Sequence, residues 1–435
     1  MPDRMHVIEL EPPDVAWALG RPADEEAGEL HEPPRRGHAR PGDVLLGIGG
    51  TSGGAVTALA GQVGEPAVRI DTNGRQRVAV PVAVDDDPGS LEALPPYSLD
   101  VSPTDLPGWI ARLELAACRA DRPASPNLSA QLRSAARQPV ETLLCHMLDP
   151  DPLLKVQDQW GLRHAEDLLT GLHLLKRLAG ARQVLLVIDA RQQRRIERRL
   201  RRAISTLQDV PIPTLRPVAN TYPQSDPTLL AQTILNRRLA PDDLPTQAGM
   251  ILLDAVAAVG VGEVARGSAC IRREPVVLRD HRRDLAVLCS AWRGARLSDV
   301  LMYAGMLHHD PDRVDPRHPP SSEPVVRAGD YLRENVIPTN CVIGGGELAF
   351  HVEARTGGVN PDPCIRCGWC LEICPTGVHP AGTLEAAGVS SDTERRRLAE
   401  RFGAAACIGC GLCDFVCPSR LPLRKVTLSV ASSKA

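Results

Sequence analysis

NPDPCIRCGWCLEICPTG, residues Asn360 to Gly377, spaces its cysteines as Cys364-x2-Cys367-x2-Cys370-x3-Cys374, with Pro375 directly after the last. The same spacing returns downstream as Cys407-x2-Cys410-x2-Cys413-x3-Cys417-Pro418. Two-residue gaps let three thiolates from one tight loop reach three corners of an iron–sulfur cube. The fourth cysteine is carried into the next element and ligates the other cluster. The pattern therefore reads as two [4Fe-4S] clusters. One is held by Cys364, Cys367, Cys370 and Cys417, the other by Cys407, Cys410, Cys413 and Cys374. Zinc asks for four tetrahedral ligands, usually from two separated pairs, and has no use for a third cysteine two residues on. Small and apolar neighbours such as Gly368, Leu371, Gly409 and Gly411 let backbone N–H groups approach sulfur and limit water. Two clusters in one small module form an electron relay, since a single acceptor needs only one.

The remaining composition is that of a globular chain. It has 435 residues, 43% hydrophobic and 24% charged, enough for two to four domains. A net charge of -3 gives no overall pull toward nucleic acid or anionic lipid. The first residues lack the apolar core of a signal peptide, and the longest apolar stretch is broken by Asp254 and Glu263. The expected location is cytoplasmic, at most peripheral to the inner face of a membrane through partners. In that reducing compartment clustered cysteines bind metal or do redox chemistry. The five scattered ones (Cys118, Cys145, Cys270, Cys289 and Cys341) read as small buried hydrophobes.

Residues 36 to 87 read as short β segments, with Asn73-Gly74 marking a hairpin. The glycine-rich GIGGTSGG at 47–54 lacks the third glycine or GK[ST] of a phosphate loop, so its glycines read as turns. Leu168, Leu169, Leu172, Leu175 and Leu178 recur at helical spacing before Gly180. QVLLVID follows as a buried strand, then an arginine-rich helix with Ile196, Leu200, Ala203 and Leu207 on one face, which together make an α/β layer. The seven arginines between Arg191 and Arg202 read as a solvated face, and Asp189 as a cap. A second β-rich portion and a short helix span EPVVLRDHRRDLAVLCSAWRGARLSDVLMYAG, followed by a Pro/Asp-rich loop with His308 and His309.

Taken in order, RPGDVLLG, HAEDLLTGLHLLKRLAGARQVLLVID, PTLRPVANTYPQSD, AGMILLDAVAAVGVGEVARG, VIPTNCVIGGG and the two cysteine runs resemble one family. It is the C subunit of Rnf-type ferredoxin:NAD oxidoreductases, itself similar to the NADH- and FMN-binding subunit of respiratory complex I. The resemblance implies a multidomain α/β chain in four parts. These are an N-terminal β barrel-sandwich (30–95), a Rossmann-like α/β domain (100–265), a β-grasp, SLBB-like domain (266–345) and an α-helical dicluster ferredoxin domain (355–430). It also implies other subunits of a redox complex, membrane-bound or not, as partners, and a ferredoxin- or flavoprotein-type donor or acceptor.

The chain departs from that family at the flavin. The family's glycine loop, G-x-G-G-A-G-F-P-T, falls here on CRADRPASPNLSAQL, where Pro126 alone matches and Asp121, Arg122 and Pro123 replace glycines. Downstream, ETLLCHMLDPDPLL keeps Asp149, Asp151 and Pro152 where the family has two glutamates and a proline near the nucleotide. A phosphate cradle needs inward N–H groups and close approach. Pro123 has no N–H, Asp121 brings negative charge, and Arg119 and Arg122 supply charge without close approach. The expectation is a relay with a vestigial FMN/NAD(H) site at Asp149 and Asp151 and no independent NADH dehydrogenase activity. Two other readings stay open: a complete flavoenzyme feeding the clusters, and a scaffold whose clusters only hold the C-terminal domain together.

Overall fold

Strands covered by helices on both faces are apolar throughout. The computed structural model describes residues 7–22, 37–41, 43–46, 55–87, 89, 95–116, 118, 120–207, 210–311, 324–333, 335–355 and 360–432. Within it, Thr142–His146 and Met250–Asp254 are buried along their whole length. Both belong to a four-stranded parallel sheet in the order Thr214–Val218, Gln183–Asp189, Thr142–His146, Met250–Asp254. In chain order that is third, second, first, fourth, as in one half of a dinucleotide-binding sheet. Such sheets open their ligand crevice beyond the C-terminal ends of the first and fourth strands.

Alternation gives the sheet two cores. Leu143, Cys145, Ile251 and Leu253 pack toward helices Ala165–Ala179 and Ala255–Ala265, whereas Leu144, Met250 and Leu252 pack against Leu230 and Ala231 of helix Pro227–Leu235. The leucines read at helical spacing are buried, and Gly180 ends their helix with φ 63°. This helix crosses Ala255–Ala265 at very close range. A Cβ on Gly262 would sit 1.8 Å from the Asp167 carbonyl oxygen. The long apolar stretch is broken at Asp254, which ends the strand and caps the next helix by accepting from Ala257 N–H at 2.8 Å. No described helix is long and apolar enough to cross a membrane.

Two larger sheets flank this layer, beside a short pairing of Val44–Leu46 with Ala55–Val56. One has six strands in the order Val7–Glu9, Leu285–Trp292, Arg273–Asp280, Ala349–Glu353, Val325–Ala328, Val336–Ile337, with helix Leu297–Tyr303 in its core. Its first strand comes from the start of the chain and runs parallel to Leu285–Trp292, where the sequence reading assigns no element. The other is built on Gln76–Val84, which pairs with Val15–Pro22, Gly61–Val63 and Ala67–Ile70. Asn73-Gly74 makes its hairpin, with Gly74 at φ 78°. The stretch 47–54, Arg119 and residues 312–323 of the Pro/Asp-rich loop lie outside the described residues.

The C-terminal part is helical: Trp369–Glu372, Pro380–Gly388, Asp392–Arg401, Leu412–Phe415 and Leu423–Ser432. Ser391 caps the third of these by accepting from Glu394 N–H. The Glu394 carboxylate turns to Arg397. All five scattered cysteines are buried, as expected of small hydrophobes. Asp189 accepts from Arg191 N–H as a cap, and Arg191, Arg195 and Arg201 pair with Asp189, Asp158 and Glu197.

Candidate metal centres

The two cysteine runs fold into the same local shape. Left-handed backbone occurs at Arg366 and Gly409, each just before the second cysteine of its run, and at Gly368 and Gly411, each just after it. It recurs three residues after the fourth cysteine, at Gly377 and Arg420. Gly368 and Gly411 each start a one-turn helix that carries the third cysteine of the run, Cys370 or Cys413. The repeated spacing is thus a repeated set of turns.

Cys374 leaves its own run. A cavity with about 340 Å³ of empty space, partly open to solvent, is lined by Cys374, Cys407, Cys410 and Cys413 together with Ile408, Leu412 and Arg424. Burial pushes the Cys410 thiol up to about 11; Cys374 and Cys407 beside it push the same way, and Arg333 opposes them. Burial likewise raises Cys370, with Cys367 and Cys364 adding to the rise. In these surroundings burial favours the neutral thiol over the thiolate. Cys417 is brought to the first run by backbone. Asp362 N–H donates to the Ser419 carbonyl at 2.9 Å, the Ser419 hydroxyl donates to the Pro363 carbonyl at 2.9 Å, and Arg420 pairs with Asp362. Ligand sulfurs on one tetrahedral zinc lie about 3.8 Å apart. Among the described residues, no three of these cysteines bring their sulfurs within 4.8 Å of one another.

A buried ion pair occupies the crevice at the end of the parallel sheet. Arg122 enters it from the loop that replaces the glycines and forms a two-armed pair with Asp254, Nε to Oδ2 at 2.5 Å and Nη2 to Oδ1 at 2.8 Å. Burial opposes charge on both partners. Their mutual attraction outweighs it, so Asp254 ends below the usual carboxylate range and Arg122 above its ordinary value. Gln157 Nε2 donates to Asp254 at 3.0 Å, and His146 Nε2 lies 2.7 Å from the Ala124 carbonyl. The loop uses its own donors. Arg122 and Ser125 exchange backbone bonds at 3.1 and 2.9 Å, Asp121 N–H donates to Gly345 and Leu128 N–H to Ala120. Ser125 Oγ and Gln131 Oε1 accept from Asp254 N–H and Leu252 N–H along the open edge of the sheet.

Asp149 and Asp151 lie beyond the strand Thr142–His146 and are committed to backbone. Asp149 Oδ1 accepts from Val156 and Gln157 N–H at 3.1 Å, capping helix Val156–Arg163. Burial, then the neighbouring Asp158, pushes its carboxyl well above the usual range. Asp151 Oδ1 accepts from Leu153 N–H at 2.9 Å in a tight turn.

With this geometry in view, the family comparisons agree on both regions. Residues 123–262 match the Nuo51 FMN-binding domain model, and residues 363–422 match a 4Fe-4S dicluster domain. In Rhodobacter capsulatus, the C subunit of the ion-translocating oxidoreductase complex is 27% identical across 59% of this chain and 49% of its own length. That of Yersinia pestis bv. Antiqua (strain Antiqua) is 28% identical across 55% and 37%. The chain is similar to the C subunit of ion-translocating oxidoreductase complexes. It spans about half or less of the length of these curated relatives. Two solved NAD+-reducing [NiFe]-hydrogenase structures, air-oxidised and H2-reduced, align over 77% of this chain and 67% and 66% of theirs. They do so at 15% identity, with TM-scores of 0.44 and 0.43. The 4Fe-4S dicluster match supports two clusters in the C-terminal module.

Contacts on the second run that the sequence did not reveal come from far away. Tyr222 lies against the Cys410 carbonyl, and Gly411 packs on Leu332. Neither carries a local signal; VANTYPQSD reads as family likeness and nothing more.

Proposed function

We propose that the chain is an electron-relay subunit of a redox complex, carrying two [4Fe-4S] clusters and no working flavin or NADH site. One cluster is held by Cys364, Cys367, Cys370 and Cys417, the other by Cys407, Cys410, Cys413 and Cys374. The observation that carries this reading is the pairing of a cavity lined by Cys374 together with Cys407, Cys410 and Cys413 with a crevice already occupied by Arg122 and Asp254. Loop 120–128 does not fit a flavin phosphate. Its one buried cation is committed to Asp254, the N–H groups of Asp121, Arg122, Ser125 and Leu128 are bonded within the protein, and Pro123 and Pro126 have none to offer.

In this reading the two flanking sheets are the barrel-sandwich and β-grasp domains, and Asp149 and Asp151 are remnants of the nucleotide site. The chain works at the inner face of a membrane, held there by partner subunits. The first cluster faces the redox partner. Cys364 and Cys367 are exposed, and Ile365, Trp369, Leu371 and Ile373 of the same run add exposed apolar surface. A protein bringing its own redox centre to that face both buries this surface and shortens the path for an electron.

A complete flavoenzyme is the second reading, favoured by the FMN-binding model over 123–262. Anaerobic purification with iron, sulfide and flavin counted together separates them. The relay gives roughly eight iron and eight sulfide per chain, no flavin fluorescence after acid denaturation, and rapid reversible reduction by dithionite but not by NADH. Stoichiometric flavin returns the chain to the flavoenzymes. Clusters that resist reduction make it a scaffold.

A further inference from the structure

Two segments from different sheets converge on the loop of the second run. The first is Asn220–Asp226, which follows strand Thr214–Val218. The second is the turn Gly329–Arg333 of the six-stranded sheet. The Tyr222 hydroxyl lies 2.9 Å from Asp330 Oδ1 and also against the Cys410 carbonyl, and donates to one of them at a time. Arg333 pairs with Asp330 at 2.7 Å and with Asp226 at 3.5 Å. Burial opposes its charge, but Asp330 and Asp226 more than restore it, and the guanidinium stays positive. Asp226 and Asp330 are themselves buried, and burial, ahead of the Arg333 attraction, leaves both above the usual carboxylate range. The backbone contact is direct, because a Cβ on Gly411 would meet the Leu332 carbonyl oxygen at 2.2 Å. Arg424 faces the same thiols from the last helix, bound to Gly409 and Asp414. Glu347 lies behind Arg333, toward Arg122 and Asp254. At the matching place on the first run, nothing lies within 4 Å of a Cβ built on Gly368.

We propose that Arg333, held by Asp226, Asp330 and Tyr222, is a positioning residue that sets the potential of the second cluster alone. Each electron added to a cluster is added negative charge. A buried cation beside the cluster favours it, and buried carboxylates disfavour it. Arg333 offsets one of the two negative charges that Asp226 and Asp330 carry when ionised. Without it their charge acts on Cys407, Cys410, Cys413 and Cys374 through an interior that screens poorly. The first cluster, held on the solvent side, is out of this reach. The inference rests on the two-cluster relay proposed above.

The test is a redox titration of the holoprotein followed by electron paramagnetic resonance, which follows the two clusters separately. In Arg333→Gln the reduced-to-oxidised ratio of the second cluster at fixed potential falls about tenfold, a shift of about 59 mV to the negative for one electron. The first cluster does not move, and Arg333→Lys restores most of the shift. Tyr222→Phe gives a smaller shift in the same direction. Equal movement of both clusters, or of neither, with iron content intact overturns the proposal. If Arg333→Gln fails to hold its iron, Asp226→Asn decides, since asparagine keeps the helix cap and removes one acid. A shift of the second cluster to the positive supports the proposal, and an unchanged potential overturns it. Parent protein lacking two reducible clusters refutes the relay itself, a result read before any variant is made.

Discussion

The two cysteine runs share spacing, turns and one-turn helices, yet stand in opposite surroundings. The first shows Cys364 and Cys367 to solvent, with Trp369 54% exposed on the short helix that follows them. The second is pressed against the body of the protein by Tyr222, Leu332 and Arg333. Local sequence therefore decides what is held, and tertiary packing decides what each holder is for. On the relay proposed above, the first run is the end open to another protein and the second is the end enclosed by its own chain.

The comparison breaks most sharply at the crossed ligands. Cys374→Ser is expected to abolish the second cluster, whose other three cysteines lie in the downstream run, and to leave the first. Cys417→Ser does the reverse. Iron counting and paramagnetic resonance distinguish the two; loss of the cluster nearer in sequence means the runs are not interleaved. The glycines come next. Gly411→Ala forces a Cβ onto the Leu332 carbonyl and is expected to cost several times as much stability as Gly368→Ala, which meets open space and loses only about 1–2 kcal/mol to left-handed backbone. Equal losses in chemical denaturation erase the difference between the runs.

The charge behind the second run gives a pH signature. Burial raises the Glu347 carboxyl to about 7; Asp330 and Asp254 add to the rise, while Arg333 and Arg122 oppose it. The unfolded carboxyl titrates near 4.3. Between those values the folded protein binds the extra proton, so this contribution is whole below about pH 4.3 and is lost as pH rises through 7. Glu347→Gln is expected to flatten the fall of stability between pH 5 and 8, by up to about 3 kcal/mol. Identical pH profiles of melting temperature for parent and variant contradict this. The smallest effect on folding belongs to the outer face. Trp369→Ala shifts stability by less than about 0.5 kcal/mol, yet slows electron exchange with a protein partner while leaving reduction by dithionite unchanged.

Much of this was legible beforehand, for physical reasons. The cysteine spacing is a local constraint on loop geometry, so it could be read directly, as could the leucine helix ended by Gly180. The missing glycines near Arg122 argued against a phosphate cradle. They did not reveal that Arg122 enters the crevice, because its partner Asp254 lies 132 positions away. The Tyr222 and Arg333 contacts were hidden for the same reason. Side-chain pairing across sheets leaves no period in the sequence. Asp149 and Asp151 were picked out by likeness to a motif, and the structure has both carboxylates bonded to nearby backbone N–H groups.

The strand Val7–Glu9 pairs in register with Leu288, Cys289 and Ser290, near the far side of the chain. A ribosome adding about 5–20 residues per second exposes this strand roughly 15–60 s before its partner exists. Glu9 also meets Arg163 and Arg273, so its ion pairs form in two instalments. The parallel layer containing Arg163 can close on the nascent chain well before the six-stranded sheet does. Until then Val7–Glu9 is an unpaired edge, and keeping it from other nascent chains is a matter of timing as much as of sequence.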